Sequence, residues 1–434
     1  MATPRILLEN ILSLTLLQAI NYIAPLITLP YLVRVLQPSQ FGLLSFAQSI
    51  VIYFDFFIDF GFNLSATRAI AASGRNDGKA MARIFWSTIF AKLLFLCISA
   101  TALAFLVECV PKLHASRMLF AVTSLYLIGT TLFPTWLFQG VEKMKLAVGA
   151  LGIARLLAAG SLILAVKHPA DYVLAGAIQA SVELVASFLA VPLIFRWVKV
   201  SWHRPSISDL VACIADAWPV FLSSSSLFLS LSSTTAILGL MAGQTEVGYY
   251  SAADKLIKAC VAILNPLNQA LYPHIVLRRF RSPVSALQMI RKCFAVLVGL
   301  SIPISIGTAI AARPFCRFFF GSSFDRSAMV LQCLSPLPFL FALISVLGTQ
   351  TMLVFNMEAE LAKVTLAGGI ISIPAAMLLC YTWGAVGAAV SSVFMATIVA
   401  GGMFWVLQAK GLHVWKSSGA SSLPLGPITQ LGME

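Results

Sequence analysis

Charge is what this chain has least of. Asp, Glu, Lys and Arg make up 10% of its 434 residues, against roughly 25% in soluble domains. That shortage excludes a soluble enzyme, a disordered scaffold and a nucleic-acid-binding domain together. The five histidines (114, 168, 203, 274, 413) stand near the ends of apolar runs and never cluster, so no metal site is expected. Eight cysteines (97, 109, 213, 260, 293, 316, 333, 380) show no C-x-x-C spacing, which argues against a disulfide framework. G-x-x-x-x-G-K-[ST], G-x-S-x-G and H-E-x-x-H are all missing, so phosphate-loop, serine-hydrolase and zinc-protease chemistry have no carrier. No loop exceeds about 16 residues, which leaves no room for a soluble catalytic domain. The chain is expected not to be an enzyme and to need no cofactor.

What it has instead is apolar length. Hydrophobic residues make up 59%, with 30 Phe. Apolar runs fall at about 11–36, 41–72, 83–107, 117–140, 145–167 and 171–196, then at 210–241, 246–277, 288–311, 327–354, 360–381 and 384–408. A spanning helix needs ~20 apolar residues, so these read as an all-α polytopic membrane protein with about twelve transmembrane helices. The start, MATPRILLEN, lacks the n-region and cleavage site of a signal peptide, so the first run is expected to remain as the first span. The polar break from Arg196 to Asp209 is the longest near mid-chain. It divides an expected N-terminal six-helix lobe (1–200) from a C-terminal one (201–409), with a Ser-, Gly- and Pro-rich cytoplasmic tail (410–434) expected to be disordered.

The net charge of +13 fits the excess of Lys and Arg in cytoplasmic loops. With the N-terminus inside, the inner segments hold 18 Lys and Arg and the outer segments 7. Both termini are therefore expected in the cytoplasm. An internal echo supports two related halves. PSQFGLLSFA (38–47) matches QTEVGYYSAA (244–253), pairing Gly42 with Gly248, Ser45 with Ser251 and Ala47 with Ala253 at an offset of 206. A weaker echo pairs Phe138 in LFQGVEK with Phe355 in LVFNMEAE at 217. Six helices per repeat put both halves in the same orientation, a parallel repeat about a pseudo-two-fold axis.

Ionisable residues inside spans are costly and usually face a cavity or one another. Nine lie well inside the runs: Asp55, Asp59, Lys92, Arg155, Glu183, Asp216, Asp254, Lys255 and Lys258. None belongs to the last four runs, so the hydrated surface is expected on the N-lobe and the first two helices of the C-lobe. Gln48, Asp55, Asp59 and Asn63 recur at 7, 4 and 4 along one helical face. Similar stripes are Gln18, Asn21, Pro25 and Thr28; Gly176, Gln179 and Glu183; and Asp216 with Pro219, Ser223, Ser226, Ser230 and Ser233. Asp55 and Asp59 are candidates for coupling to H+ or Na+, with Glu183, Asp216, Asp254, Gln48 and Asn63 in the same cavity. Lys92, Arg155, Lys255 and Lys258 are candidates for binding an anionic substrate. The competing account of these cations is charge balance against the acids, with Asp254 and Lys258 pairing at i, i+4.

The segment 21–71 carries PYL-R-L (Pro30, Tyr31, Leu32, Arg34, Leu36), then FGLLSFAQS, a D-x-G (Asp59, Gly61) and SATR (65–68), and FPTWLFQGVEKMK follows at 133–145. These resemble the signatures of the Wzx-type polysaccharide and O-antigen flippases of the multidrug/oligosaccharidyl-lipid/polysaccharide (MOP) superfamily. Gln37 and Pro38 depart from that pattern, where the family more often has Gly after the Leu. The resemblance implies the MOP fold and a flippase that carries undecaprenyl-pyrophosphate-linked oligosaccharide from the cytoplasmic to the periplasmic face of a bacterial inner membrane by alternating access. Its implied partners are the lipid-linked oligosaccharide, membrane lipids, and a polysaccharide polymerase with its chain-length regulator, with no nucleic acid. The rival readings are a multidrug or cation antiporter of the same superfamily and a membrane-embedded glycan polymerase or acyltransferase.

Overall fold

The computed structural model describes residues 4–73, 77–198 and 200–412, and among these every regular element is a helix. The expected side-chain stripe at Gln18, Asn21 and Pro25, the serines Ser226 and Ser230, and the tail beyond Leu412 lie outside the described residues. Twelve apolar runs become twelve crossings. Helix α1 (Pro4–Asp59) holds two of them, divided at Gln37, whose φ is 60°. A left-handed φ favours glycine, so this is the physical reason for a Gly at that point and makes Gln37 a strained replacement. The second crossing turns a corner at Phe60 and Gly61 and continues as α2 (Phe62–Ser73).

Then come α3 (Gly78–Cys109), the interrupted α4 (Arg117–Gly140), α5 (Met144–Ala165) and α6 (Tyr172–Leu193), completing six crossings. The linker 199–206 leads to α7 (Ile207–Met241), where Ser206 and Asp209 form a reciprocal capping box that supplies two otherwise orphaned backbone donors. One further crossing is shared by α8 (Gln244–Ala262) and α9 (Asn265–Arg281). The last four come from α10 (Pro283–Phe320), α11 (Ser322–Leu353) and α12 (Glu358–Ala409), which is divided at Gly384 by a φ of 58°. Glu246 stabilises that break. Its carboxylate accepts the Ala385 backbone N–H at 2.8 Å and pairs with Arg326 at 2.7 Å.

The two sequence echoes are structural repeats. Gly42 packs on Gln244 and Gly248, and Gly248 packs on Pro38. With an offset of 206 the two contacts are the same contact seen twice, which is what a two-fold axis requires. The approach is backbone to backbone: a Cβ on Gly42 would stand 1.8 Å from the Gln244 carbonyl oxygen, and one on Gly248 2.0 Å from that of Pro38. The paired Ala47 and Ala253 are fully buried. The weaker echo is real but shifted by three residues. Lys143 N–H donates to Phe138 O, and Met357 N–H to Met352 O, each at 2.8 Å. Both turns carry a residue at φ 58°, Glu142 and Asn356. Phe138 therefore corresponds to Met352, at an offset of 214. The aromatic match with Phe355 is a coincidence of side chains.

The lobes meet differently at their two ends. At the glycine end, N-lobe cations cap C-lobe helices. Arg34 donates to Phe318 O and, at 2.9 Å, to Phe319 O at the C-terminus of α10. Lys112 donates to Leu240 O and Ala242 O, at 3.0 and 2.9 Å, where α7 ends. Cations are favoured at helix C-termini by the exposed carbonyls. Toward the linker end, α1 and α7 meet through aromatic rings, with Phe56 stacked on Phe228 at 4.1 Å and Phe60 on Phe221 at 4.5 Å. Arg83 on α3 there pairs with Asp209 on α7, Nε to Oδ1 at 2.6 Å.

Candidate functional site

Between the lobes lies a polar cavity in two compartments. The larger, of about 490 Å³, is lined by Asp55, Asp59, Asn63, Lys92, Tyr126, Thr130, Arg155, Glu183 and Phe228 among others. The smaller, of about 250 Å³, includes Thr28, Phe41, Gln179 and Lys255 and shares Tyr126, Arg155 and Glu183 with the first. These three shared residues stand between the two compartments, which are immediate neighbours. Apart from Phe228 and Lys255, the lining comes from the N-lobe, which is the asymmetry expected from the distribution of ionisable residues.

The α1 stripe generates the site. Gln48, Asp55 and Asp59 project from one face, and each meets a different helix. Gln48 donates to Gln179 of α6 at 2.6 Å. Asp55 accepts the Thr130 hydroxyl of α4 at 2.7 Å. Asp59 receives the ammonium of Lys92 at 3.1 Å, and Asn63, past the Gly61 corner, accepts from the same ammonium at 3.2 Å. Lys92 is only 3% exposed. A buried ammonium without a counter-charge would cost several kcal/mol, so this triad is a condition for inserting α3 as much as a feature of the cavity. Arg155 and Glu183 form a second pair across α5 and α6, at 3.7 Å.

The remaining expected residues are dispersed. Asp254 pairs with Lys258 at 2.7 Å on α8, and neither lines the cavity. Lys255, one residue on from Asp254, does line it and rests 5.0 Å above the ring of Phe41. Asp216 lies in a separate space of about 990 Å³ at the linker end, bounded by α2, α3, α7 and residues 201–203. The serines Ser223 and Ser225 turn back onto carbonyls of their own helix. Among the described residues no group of three His, Cys, Asp or Glu side chains could hold a metal ion.

Two cavity residues escape a search for ionisable groups. Tyr126 and Thr130 stand one turn apart on α4, an N-lobe span without a charge at its centre. Their i, i+4 spacing puts them on one face of α4, but nothing in the sequence says that this face meets the α1 stripe.

Comparison with known proteins agrees with this architecture. The polysaccharide biosynthesis protein family model matches residues 7–277. A protein of Escherichia coli (strain K12) named "Putative O-antigen transporter" is 32% identical over 88% of this chain and 92% of its own length. A Shigella dysenteriae protein of the same name is 28% identical over 90% of this chain and 97% of its own. Among solved structures, an inward-facing multidrug resistance MATE transporter of the MOP superfamily aligns with a TM-score of 0.70 at 13% identity, over 92% of this chain and 98% of that one. The lipid II flippase MurJ, in an inward closed conformation, also scores 0.70, at 12% identity over 91% and 87%. With its two six-helix lobes in the MOP transporter fold, this multi-pass membrane protein belongs to the polysaccharide biosynthesis protein family.

Proposed function

We propose that the protein is a flippase for lipid-linked oligosaccharide. In this reading it carries an undecaprenyl-pyrophosphate-linked repeat unit, of O-antigen or exopolysaccharide, from the cytoplasmic to the periplasmic face of a bacterial inner membrane by alternating access. The observation that carries the reading is the pair of neighbouring compartments inside an otherwise apolar bundle, lined by Lys92, Arg155 and Lys255 beside Asp55, Asp59 and Glu183. A sugar–pyrophosphate headgroup must cross ~30 Å of hydrocarbon, and charge-assisted hydrogen bonds from fixed cations lower that barrier. The names of the E. coli and Shigella relatives and of the MurJ flippase point the same way.

The loop charges put both termini in the cytoplasm, which makes the glycine end periplasmic and the linker end cytoplasmic. Of the four cations expected to receive the headgroup, Lys255 is the one in the cavity held by an aromatic face rather than by a carboxylate. Lys92 and Arg155 would exchange their carboxylate partners for phosphate oxygens, while Lys258 neutralises Asp254. Asp55 and Asp59 are the acids through which H+ or Na+ would couple. A polymerase and its chain-length regulator would consume the product outside.

The test is export. A strain lacking the protein should accumulate the lipid-linked repeat unit on the inner leaflet and lose surface glycan. Lys255→Gln should restore less than a fifth of the glycan, and Lys255→Arg most of it, at equal protein level. Full export from the deletion strain would end the flippase reading. Full export from Lys255→Gln would remove Lys255 from the headgroup path.

A further inference from the structure

The third space, at the linker end, takes no part in the central cavity. We propose that it is a carbohydrate-binding site, which receives the sugar portion of the substrate before the headgroup enters the central cavity. The proposal rests on the flippase reading and adds a second subsite to it.

The space is about 990 Å³, at the upper end for small-molecule pockets and large enough for several pyranose rings. Its most distinctive wall is Trp202, 67% exposed. The ring is nevertheless fixed. The edge of Trp86 meets it at 4.3 Å, and the Trp86 indole N–H donates at 2.9 Å to the carbonyl of Ser201. A large flat ring held in place while two-thirds exposed is suited to the apolar C–H face of a sugar.

Around it are groups that suit hydroxyls. Asp216 makes no ion pair or hydrogen bond among the described residues, though it stands nine residues inside α7. Ser87 also borders the space, with its hydroxyl buried beneath the surface. Arg83, Asp209 and His203 add further donors and acceptors, with His203 Nε2 at 3.6 Å from Asp209.

Charge argues against other ligands. The acids Asp77, Asp209 and Asp216 face the bases Lys79 and Arg83, so an anion such as a free phosphate finds no excess of positive charge. The acids do not converge as a cation site would require. An apolar ligand would leave the charged part of the lining (Asp77, Lys79, Arg83, Asp209 and Asp216) without partners on the ligand. A neutral polyhydroxylated ligand meets none of these objections.

The walls belong to both lobes. Ser87 and Arg83 are on α3, whereas Asp209 and Asp216 are on α7. Relative motion of the lobes must therefore dismantle the site, so sugar bound there favours the arrangement in which it is intact.

The test uses the full chain in lipid nanodiscs. The probe is the lipid-free repeat-unit oligosaccharide cut from the surface polysaccharide of the bacterium that carries the protein, titrated by calorimetry, with inorganic pyrophosphate as the headgroup control. Wild type should bind the oligosaccharide. Trp202→Ala should weaken it at least tenfold and Asp216→Asn several-fold, while Trp202→Phe stays within about threefold of wild type. Pyrophosphate binding should be unchanged throughout. Should Trp202→Ala melt earlier than wild type, Asp216→Asn, which breaks no described contact, decides. No oligosaccharide binding by wild type, or wild-type affinity in both Trp202→Ala and Asp216→Asn, overturns the proposal. The two readings separate through the deletion strain: glycan export that needs the protein, with oligosaccharide binding indifferent to Trp202 and Asp216, leaves the flippase and removes only this site.

Discussion

The two ends of the lobe interface solve opposite problems. At the glycine end two backbones touch with nothing between them, and the contact is repeated by the two-fold axis through Gly42 and Gly248. At the linker end the same lobes are separated by a large space and joined by an ion pair, Arg83–Asp209. The first contact depends on side chains being absent, so it tolerates almost no change. The second depends on a half-exposed pair, with Arg83 reaching from water to an Asp209 that is 7% exposed and held by its own helix cap. A seal that must exclude ions and a mouth that must admit a bulky headgroup would differ in this way.

The comparison is most easily broken at the glycines. Overpacking typically costs 1–3 kcal/mol even where side chains can yield, and here the obstacle is backbone. Gly42→Leu should lower export more than tenfold and expose thiols engineered at position 40 to a membrane-impermeant reagent. Gly248→Leu should do the same. Because both residues form one contact, the double variant should be little worse than either alone, since neighbours are not additive. Additive losses would mean that the two contacts act separately.

Next in size is the buried triad. Lys92→Gln leaves Asp59 without its counter-charge and should destabilise the protein by ~3–5 kcal/mol, measured as a lowered melting temperature in detergent. Adding Asp59→Asn should recover most of the loss. Failure of that rescue would show that Lys92 is held by something other than its acid.

At the linker end, Arg83→Ala should cost no more than ~1 kcal/mol yet raise the rate at which a thiol at position 213 is labelled. Exchanging the charges, Arg83→Asp with Asp209→Arg, should restore slow labelling. The smallest effect on export belongs to Lys258→Gln. Export should stay near normal, since Lys258 is 58% exposed and lines neither compartment, although the melting temperature should fall because Asp254, only 13% exposed, loses its counter-charge. A loss of export there would return Lys258 to the substrate path.

How much of this was legible beforehand depended on the kind of signal. Crossings are set by hydrophobic length, and the twelve runs coincide with the helices because a membrane imposes one length on all of them. The glycine contact was legible as Gly42 and Gly248 in matching context, since close approach leaves a residue-type signature. Of the stripe found by periodicity, Asp55, Asp59 and Asn63 line the cavity, whereas Gln48 is in neither lining and bonds Gln179 instead. Which residues stand opposite was not legible, because partners on other helices have no fixed spacing. Thr130 for Asp55 and Lys92 for Asp59 emerge only from packing. Asp216 and Asp254 satisfied the same test of charge within a span, yet one faces a different space and the other is neutralised on its own helix. Burial depth follows from sequence more readily than direction does.

Glu246 has a further consequence. By holding the break at Gly384 and pairing with Arg326, it fastens the start of α8 to α11 and α12, so α8 travels with the C-lobe as part of one body. Lys255 is nine residues along that helix, about 13 Å at 1.5 Å per residue, and is the C-lobe's only charge in the lining of the central cavity among the described residues. On formal charges the joined lobes enclose three cations, Lys92, Arg155 and Lys255, against three acids, Asp55, Asp59 and Glu183. Any rotation that carries α8 away from α1 withdraws Lys255 and leaves two against three. The chamber's formal charge is thereby tied to its geometry: neutral while closed, negative once parted, and so, on the flippase reading, repelling toward a phosphate.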